Sequence, residues 1–122
     1  MKGAGTDLVS VTRLAQSLAR TPGFAQEVFT ASEREYCESR RHAAQHYAAR
    51  FAAKEAFLKA VGTGIFGGVS LQDIEVVRGD SGQPALRLGP TASLELERLG
   101  ASRSLLSLSH ERDYAVAVVI LS

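Results

Sequence analysis

The chain has 122 residues, 45% of them apolar, with 14 basic and 13 acidic residues and a formal net charge of +1. That size fits one domain, residues 1–122, with a modest core, and the balanced charge excludes nucleic-acid binding driven by bulk charge. The single cysteine, Cys37, excludes an internal disulfide and suits a reducing compartment, the cytoplasm, while no apolar run is long enough to span a membrane.

At the N-terminus Lys2 precedes no apolar h-region, so no signal peptide is expected. "GAGTDLVSV" (3–11) reads as a glycine-rich strand, and residues 12–20 as a helix stopped near Pro22-Gly23. Thr30 and Glu33 form a capping box that opens a helix. After a break near His42 another helix runs to about Ala60, with Gly62 as its stop. "VSLQDIEVVRG" (69–79) reads as a strand, and the turn cluster "GDSGQP" returns it through "ALRL" as a hairpin. Pro90 opens a short helix that Gly100 ends. Strands over about 103–109 and 114–121 flank a final turn. The order predicts α+β, a largely antiparallel sheet with helices on one side. The last strand is apolar on both alternating faces, which predicts that a second subunit covers one of them.

The second long helix is unusual. On a helical wheel Tyr47, Phe51, Phe57, Leu58 and Val61 form one apolar stripe. Lys54 falls inside that stripe, Glu55 on one edge with Lys59 four residues on, and Arg50 near the other edge. One account is snorkelling of the basic stems and an ordinary Glu55–Lys59 surface pair. The other is chemical. A carboxylate beside an apolar stripe needs a cation to stay charged, and the helix runs into Gly62-Thr63-Gly64, where backbone can approach a phosphate. Cations, a carboxylate and a glycine loop suit phosphate and magnesium, and a second carboxylate is then expected from elsewhere. Asp7, after glycines on the first strand, is the best candidate; alternatively its carboxylate bonds nearby backbone N–H groups. His42 and His46 have a zinc-compatible i, i+4 spacing, but no third ligand is evident and they read as a surface pair. A P-loop is excluded, because no Lys-Ser or Lys-Thr follows the glycines.

"GTDLV", "RFAAKEAFLKAVGTG", "SLQDIEV" and "SLSHERDYAVAVVI", in this order over nearly the whole chain, resemble the holo-[acyl-carrier-protein] synthases, the small single-domain type of 4′-phosphopantetheinyl transferase. The most specific part is the Arg-Phe-Ala-x-Lys-Glu-Ala run with Gly-Thr-Gly after it. The resemblance implies the fold of that family, typically a homotrimer with active sites between subunits. It implies transfer of the phosphopantetheine arm of coenzyme A to a serine of apo acyl carrier protein, releasing adenosine 3′,5′-bisphosphate, in fatty acid or polyketide biosynthesis. It places Mg²⁺ on Asp7 and Glu55, and Lys59 near the phosphates. It places Arg50 and His110 at the adenosine end and its 3′-phosphate, Arg41 loosely beside them, and Gly62, Thr63 and Gly64 beside the nucleotide. The proton acceptor stays open between Glu55 and a water held by the metal or by Asp7. Arg13, Arg20 and Phe24 match the carrier-binding helix, where a basic face suits an acidic carrier. Ser10 departs from the acidic residue frequent there, and Phe66 departs in the loop. Against this stand a catalytically silent nucleotide-binding module of the same fold and a structural trimer with solvated charges.

Overall fold

The structure, a computed structural model, describes residues 1–64 and 67–122. Strand β1 (Gly3–Ser10) leads into helix α1 (Val11–Arg20), then α2 (Phe24–Val28), α3 (Ala31–Glu38) and α4 (Ala43–Val61). A 3₁₀ turn (Leu71–Asp73) precedes β2 (Ile74–Arg78) and β3 (Pro84–Leu88), and α5 (Pro90–Arg98) precedes β4 (Ser104–His110) and β5 (Tyr114–Leu121). The architecture is α+β with only antiparallel pairings, in two sheets rather than one. The main sheet has the order β1-β5-β4, and β2-β3 is a separate hairpin.

Local chemistry sets several boundaries. Ser10 caps α1, its hydroxyl accepting from the backbone N–H of Arg13 at 3.2 Å. Thr30 and Glu33 form the expected capping box at α3. Gly62 ends α4 with φ 83°, a left-handed conformation that favours glycine. Pro90 stands at the start of α5. Two readings change. Residues Phe24–Val28 form a helix that was not expected, and β2 begins only at Ile74 because Leu71–Asp73 turn as 3₁₀.

Helix α4 is the centre of the molecule. It is apolar or buried on several sides, and its alanines Ala52, Ala53 and Ala56 have no exposed surface. It packs on β1 and β5, where Ala115, Ala117, Val119 and Leu121 of β5 face inward and are at most 1% exposed. The approach to β1 is closer than side chains allow. A Cβ on Gly5 would overlap the carbonyl oxygen of Ala56, and one on Gly3 would overlap that of Ala60. The glycine-rich start of the chain is therefore a packing requirement.

Lys54 does not snorkel. It has no exposed surface and donates to Glu33 Oε1 at 2.8 Å, to the Leu71 carbonyl at 2.8 Å and to the Ile74 carbonyl at 2.7 Å. Its stem points into the core, where only a fully hydrogen-bonded ammonium is tolerated. Glu33 completes the arrangement by accepting from the backbone N–H groups of Thr30 and Val76, both at 2.9 Å.

The opposite face of the main sheet carries exposed apolar side chains. Leu8 is 65% and Leu105 63% exposed, with Tyr114 and Val118 beside them on β5. Among the described residues, no helix is long and apolar enough to cross a membrane.

Gly5→Ala is expected to destabilise the fold by about 2–3 kcal/mol, because the atoms it meets are backbone and cannot turn aside. A urea unfolding midpoint unchanged from the native chain would contradict the close contact of β1 with α4.

Candidate functional site

Asp7 and Glu55 line one pocket of about 390 Å³, together with Ser10, Arg13, Phe24 and Phe51. The two carboxylates arrive from different elements, β1 and α4, and the glycine contacts described above bring those elements together. Burial, and then the negative charge of Asp7, push the Glu55 carboxyl above the ordinary carboxylate range, and Lys59 only partly offsets them. Lys59 does not pair with Glu55. It reaches across to Asp7 Oδ1 at 2.9 Å and to the Thr6 carbonyl at 3.1 Å. Asp7 thus holds a lysine rather than backbone N–H groups.

The donor set suits a hard divalent cation. Two neighbouring carboxylates supply two oxygen ligands, and the raised proton affinity of Glu55 marks a site short of positive charge. Among the described residues no group of three or more His, Cys, Asp and Glu side chains could hold a metal by themselves. Further ligands would be water or substrate oxygens, as magnesium prefers.

Arg50 and His110 meet in a second pocket of about 170 Å³, with Tyr36, His46 and Arg78. The imidazoles of His46 and His110 lie 5.0 Å apart between ring centroids, and His110 Nδ1 sits 3.2 Å from Gln45 Oε1. Burial, and then the positive charges of His110, Arg50, Arg40 and Arg78, hold His46 below its ordinary pKa. Arg50 is only 4% exposed, and its Nε has no hydrogen-bond partner.

Other expected residues are placed differently. Arg13 and Phe24 stand on the wall of the carboxylate pocket, where Phe24 packs on Phe51 with ring centroids 6.2 Å apart. Arg20, at the end of α1, and Arg41, before α4, are exposed and line neither pocket. Gly62, Thr63 and Gly64 also line neither, although the buried Thr63 hydroxyl has no partner. Ser10 is explained by its cap on α1. Phe66 lies outside the described residues. Cys37 is buried, and burial pushes its thiol up to about 11, consistent with a structural role. Sequence reading missed Tyr36 and Arg78, and read His46 only as half of a surface pair with His42. Only the fold brings α3, α4 and β2 together, and no local spacing announces it.

Residues 3–119 match the model of the 4′-phosphopantetheinyl transferase superfamily. The chain is 46% identical over 120 residues to a holo-[acyl-carrier-protein] synthase of Geobacter sp. (strain M21), covering 98% of this chain and 96% of the relative. The fold superposes on the holo-[acyl-carrier-protein] synthase of Neisseria meningitidis with a TM-score of 0.88 at 39% identity, covering 100% of this chain and 98% of that one. A complex of such a synthase with coenzyme A, from Chronobacterium ammoniagenes, matches with a TM-score of 0.82 at 33% identity, covering 98% and 95%.

The charge balance of the carboxylate pocket can be read directly. Lys59→Met removes the cation that offsets burial and Asp7, so the titration midpoint of Glu55 should move further up. Carboxyl-selective NMR titration of the metal-free protein would follow it. The sign for stability is fixed by the same shift. A carboxyl whose folded pKa is raised makes the folded state bind more protons than the unfolded chain between the two values. Metal-free stability should fall as pH rises through that window, over a wider range in Lys59→Met.

Proposed function

The chain belongs to the 4′-phosphopantetheinyl transferase superfamily, and from that premise we infer how its residues carry the 4′-phosphopantetheine group of coenzyme A to a serine of an apo acyl carrier protein. The observation that carries this reading is the single pocket in which Asp7 and Glu55 stand together, with Lys59 on Asp7 and Arg13 and Phe24 on the wall.

In the reaction the serine oxygen bonds to the phosphorus that bears the pantetheine arm. The bond from that phosphorus to the bridging oxygen breaks, and its electron pair leaves with adenosine 3′,5′-bisphosphate. Asp7 and Glu55 would hold Mg²⁺, which when bound neutralises pyrophosphate charge and polarises the attacked phosphorus. Lys59 lies beside Asp7 at 2.9 Å and is half-exposed, free to swing toward charge building on the leaving oxygen. The proton acceptor stays open between Glu55 and a water held by the metal or by Asp7, whose own carboxylate is engaged by Lys59 at 2.9 Å.

Arg50 and His110 receive the adenosine end of coenzyme A in the second pocket; Gly62, Thr63, Gly64 and Arg41 line neither pocket and are assigned to the nucleotide by the family resemblance alone. Arg13 and Arg20 offer a basic helix face to the acidic carrier, with Phe24 as its apolar anchor beside the carboxylates. In this reading the incoming serine approaches on the Asp7 and Glu55 side and the nucleotide lies on the other.

The exposed apolar face of the main sheet fits burial in a homotrimer. Leu8, Leu105, Tyr114 and Val118 form a patch that water would not stabilise on a lone subunit. The single thiol suits the reducing cytoplasm.

Intact-protein mass spectrometry with coenzyme A, Mg²⁺ and an apo acyl carrier protein tests the chemistry. One phosphopantetheine should be added to the carrier, and Glu55→Gln and Asp7→Asn should each slow the addition by at least about 100-fold. Coenzyme A binding without transfer to any of several carriers would favour a silent module instead. Sedimentation analysis tests the assembly: the native chain should run at three times its 13.0 kDa mass, and Leu105→Asp should run as a monomer. A monomeric native chain would remove the trimer.

A further inference from the structure

Lys54 stands inside the core with its charge fully used. It has no exposed surface, and its ammonium donates to Glu33 Oε1 at 2.8 Å, to the Leu71 carbonyl at 2.8 Å and to the Ile74 carbonyl at 2.7 Å. An ammonium has three N–H groups, so none is left over. Glu33, 1% exposed, is held in turn by the backbone N–H groups of Thr30 and Val76, both at 2.9 Å. The three acceptors of Lys54 belong to α3, the 3₁₀ turn and β2. The lysine is thus a directed three-point joint between α4 and three other elements.

Stability alone does not account for such a joint. Replacing a buried ion pair by apolar side chains of similar volume is often neutral or stabilising, because two charges no longer have to leave water. The difference lies in direction. Apolar contact is non-directional and lets a helix settle over a range of rolls about its axis. Three hydrogen bonds on one ammonium do not, because each weakens steeply as its angle changes.

The place of the joint along α4 is informative. Lys54 immediately precedes Glu55. Ala56, whose carbonyl oxygen a Cβ on Gly5 of β1 would overlap, immediately follows it. At about 100° per residue, the lysine joint and the strand contact lie on the two flanks of Glu55. Among the described residues no ion pair includes Glu55 itself, so the helix that carries it sets its place. With the carboxylate about 6 Å from the helix axis, a roll of about 10° would carry it about 1 Å. A misplacement of about 1 Å at a reacting centre can cost about 100-fold in rate.

We propose that Lys54 is a positioning residue, whose three-point joint with Glu33, Leu71 and Ile74 fixes the roll of α4 and so holds Glu55 in register with Asp7 for the divalent cation they share. This rests on the reading of the two carboxylates as a cation site.

The test removes both charges together, so that neither is left bare. Lys54→Met/Glu33→Gln keeps an oxygen for the cap of α3 and should unfold in urea at a midpoint close to the native one. Mn²⁺, titrated calorimetrically into the metal-free full chain, should bind at least about tenfold more weakly than to the native chain. With coenzyme A, Mg²⁺ and an apo acyl carrier protein, kcat should fall about 10–100-fold while KM for coenzyme A stays within about threefold. A residue that only stabilised the core would move the urea midpoint and leave both readouts alone. Native Mn²⁺ affinity and native kcat in the folded double variant therefore overturn the proposal. If that variant does not fold, Lys54→Leu/Glu33→Leu takes its place. A native chain that binds no Mn²⁺ would sink the cation reading instead. The crystal structure of the double variant then decides the positioning: a Glu55 carboxylate displaced by about 1 Å relative to Asp7 supports it, and one in its native place overturns it.

Discussion

The backbone-to-backbone contact between β1 and α4 decides where every chemical group of the first pocket ends up. Gly3 meets Ala60, and Gly5 meets Ala56. Two residues along a strand advance about 6.6 Å and four along a helix about 6 Å, so the strand and the antiparallel helix stay in step over this stretch. The next residue on the same side of β1 is Asp7, and the same stepping carries it to the turn of α4 that bears Glu55. A side chain at Gly5 would move the strand away and take Asp7 with it. The placement of the carboxylate pair thus depends on two positions that carry no side chain at all. The alanines of α4 are the other half of the same requirement: larger residues at Ala56 or Ala60 would also prop the strand off the helix.

Helix α4 then sorts its charges by angle. Arg50 and Lys54 stand four residues apart on one side, and Glu55 and Lys59 stand four apart about 100° away. The first side points toward α3 and β2. There Lys54 is consumed by Glu33 and two carbonyls, a buried pair that ties α3, α4, the 3₁₀ turn and β2 together. Such a pair is costly to desolvate, and losing one partner would leave a bare charge inside. Glu33 is also the residue that closes the capping box of α3, so the start of that helix, and Tyr36 one turn later, are fixed by the same carboxylate. The second side points toward β1, where Lys59 meets Asp7. One helix therefore builds the core with one stripe of charge and the pocket with the next.

Much of this was legible in the sequence where the signal is local. The capping box at Thr30, the stop at Gly62, the proline at the start of α5 and the two hairpins all follow from short-range rules. Asp7 and Glu55 were legible as misplaced charges beside apolar residues, and the fold does bring them together. What was not legible depends on distant partners. Lys54 reads as a snorkelling side chain because its acceptors are 17 to 21 residues away. Glu55 and Lys59 read as a surface pair because the competing Asp7 is 52 residues from Lys59. The α2 helix has only five residues, too few for a periodic pattern to show. Tyr36 reads as one aromatic on a short helix, and nothing nearby discloses three arginines around it.

The last strand joins these observations to the assembly. Its inward residues are small where α4 is close, Ala115 and Ala117, and larger beyond, Val119 and Leu121, so the taper of the core is written along β5. Its outward residues remain apolar, and Leu8 and Tyr114 share a groove there with His110. Leu8 lines both this groove and the carboxylate pocket of Asp7 and Glu55. In the proposed trimer a neighbour lying on Leu8 and Tyr114 would border both at once. In the proposed reading, coenzyme A carries its pyrophosphate between the nucleoside and the pantetheine arm, so the two pockets have to be continuous for it. In that proposed assembly the apolar outer face of β1 and β5 would determine what lies next to the carboxylates.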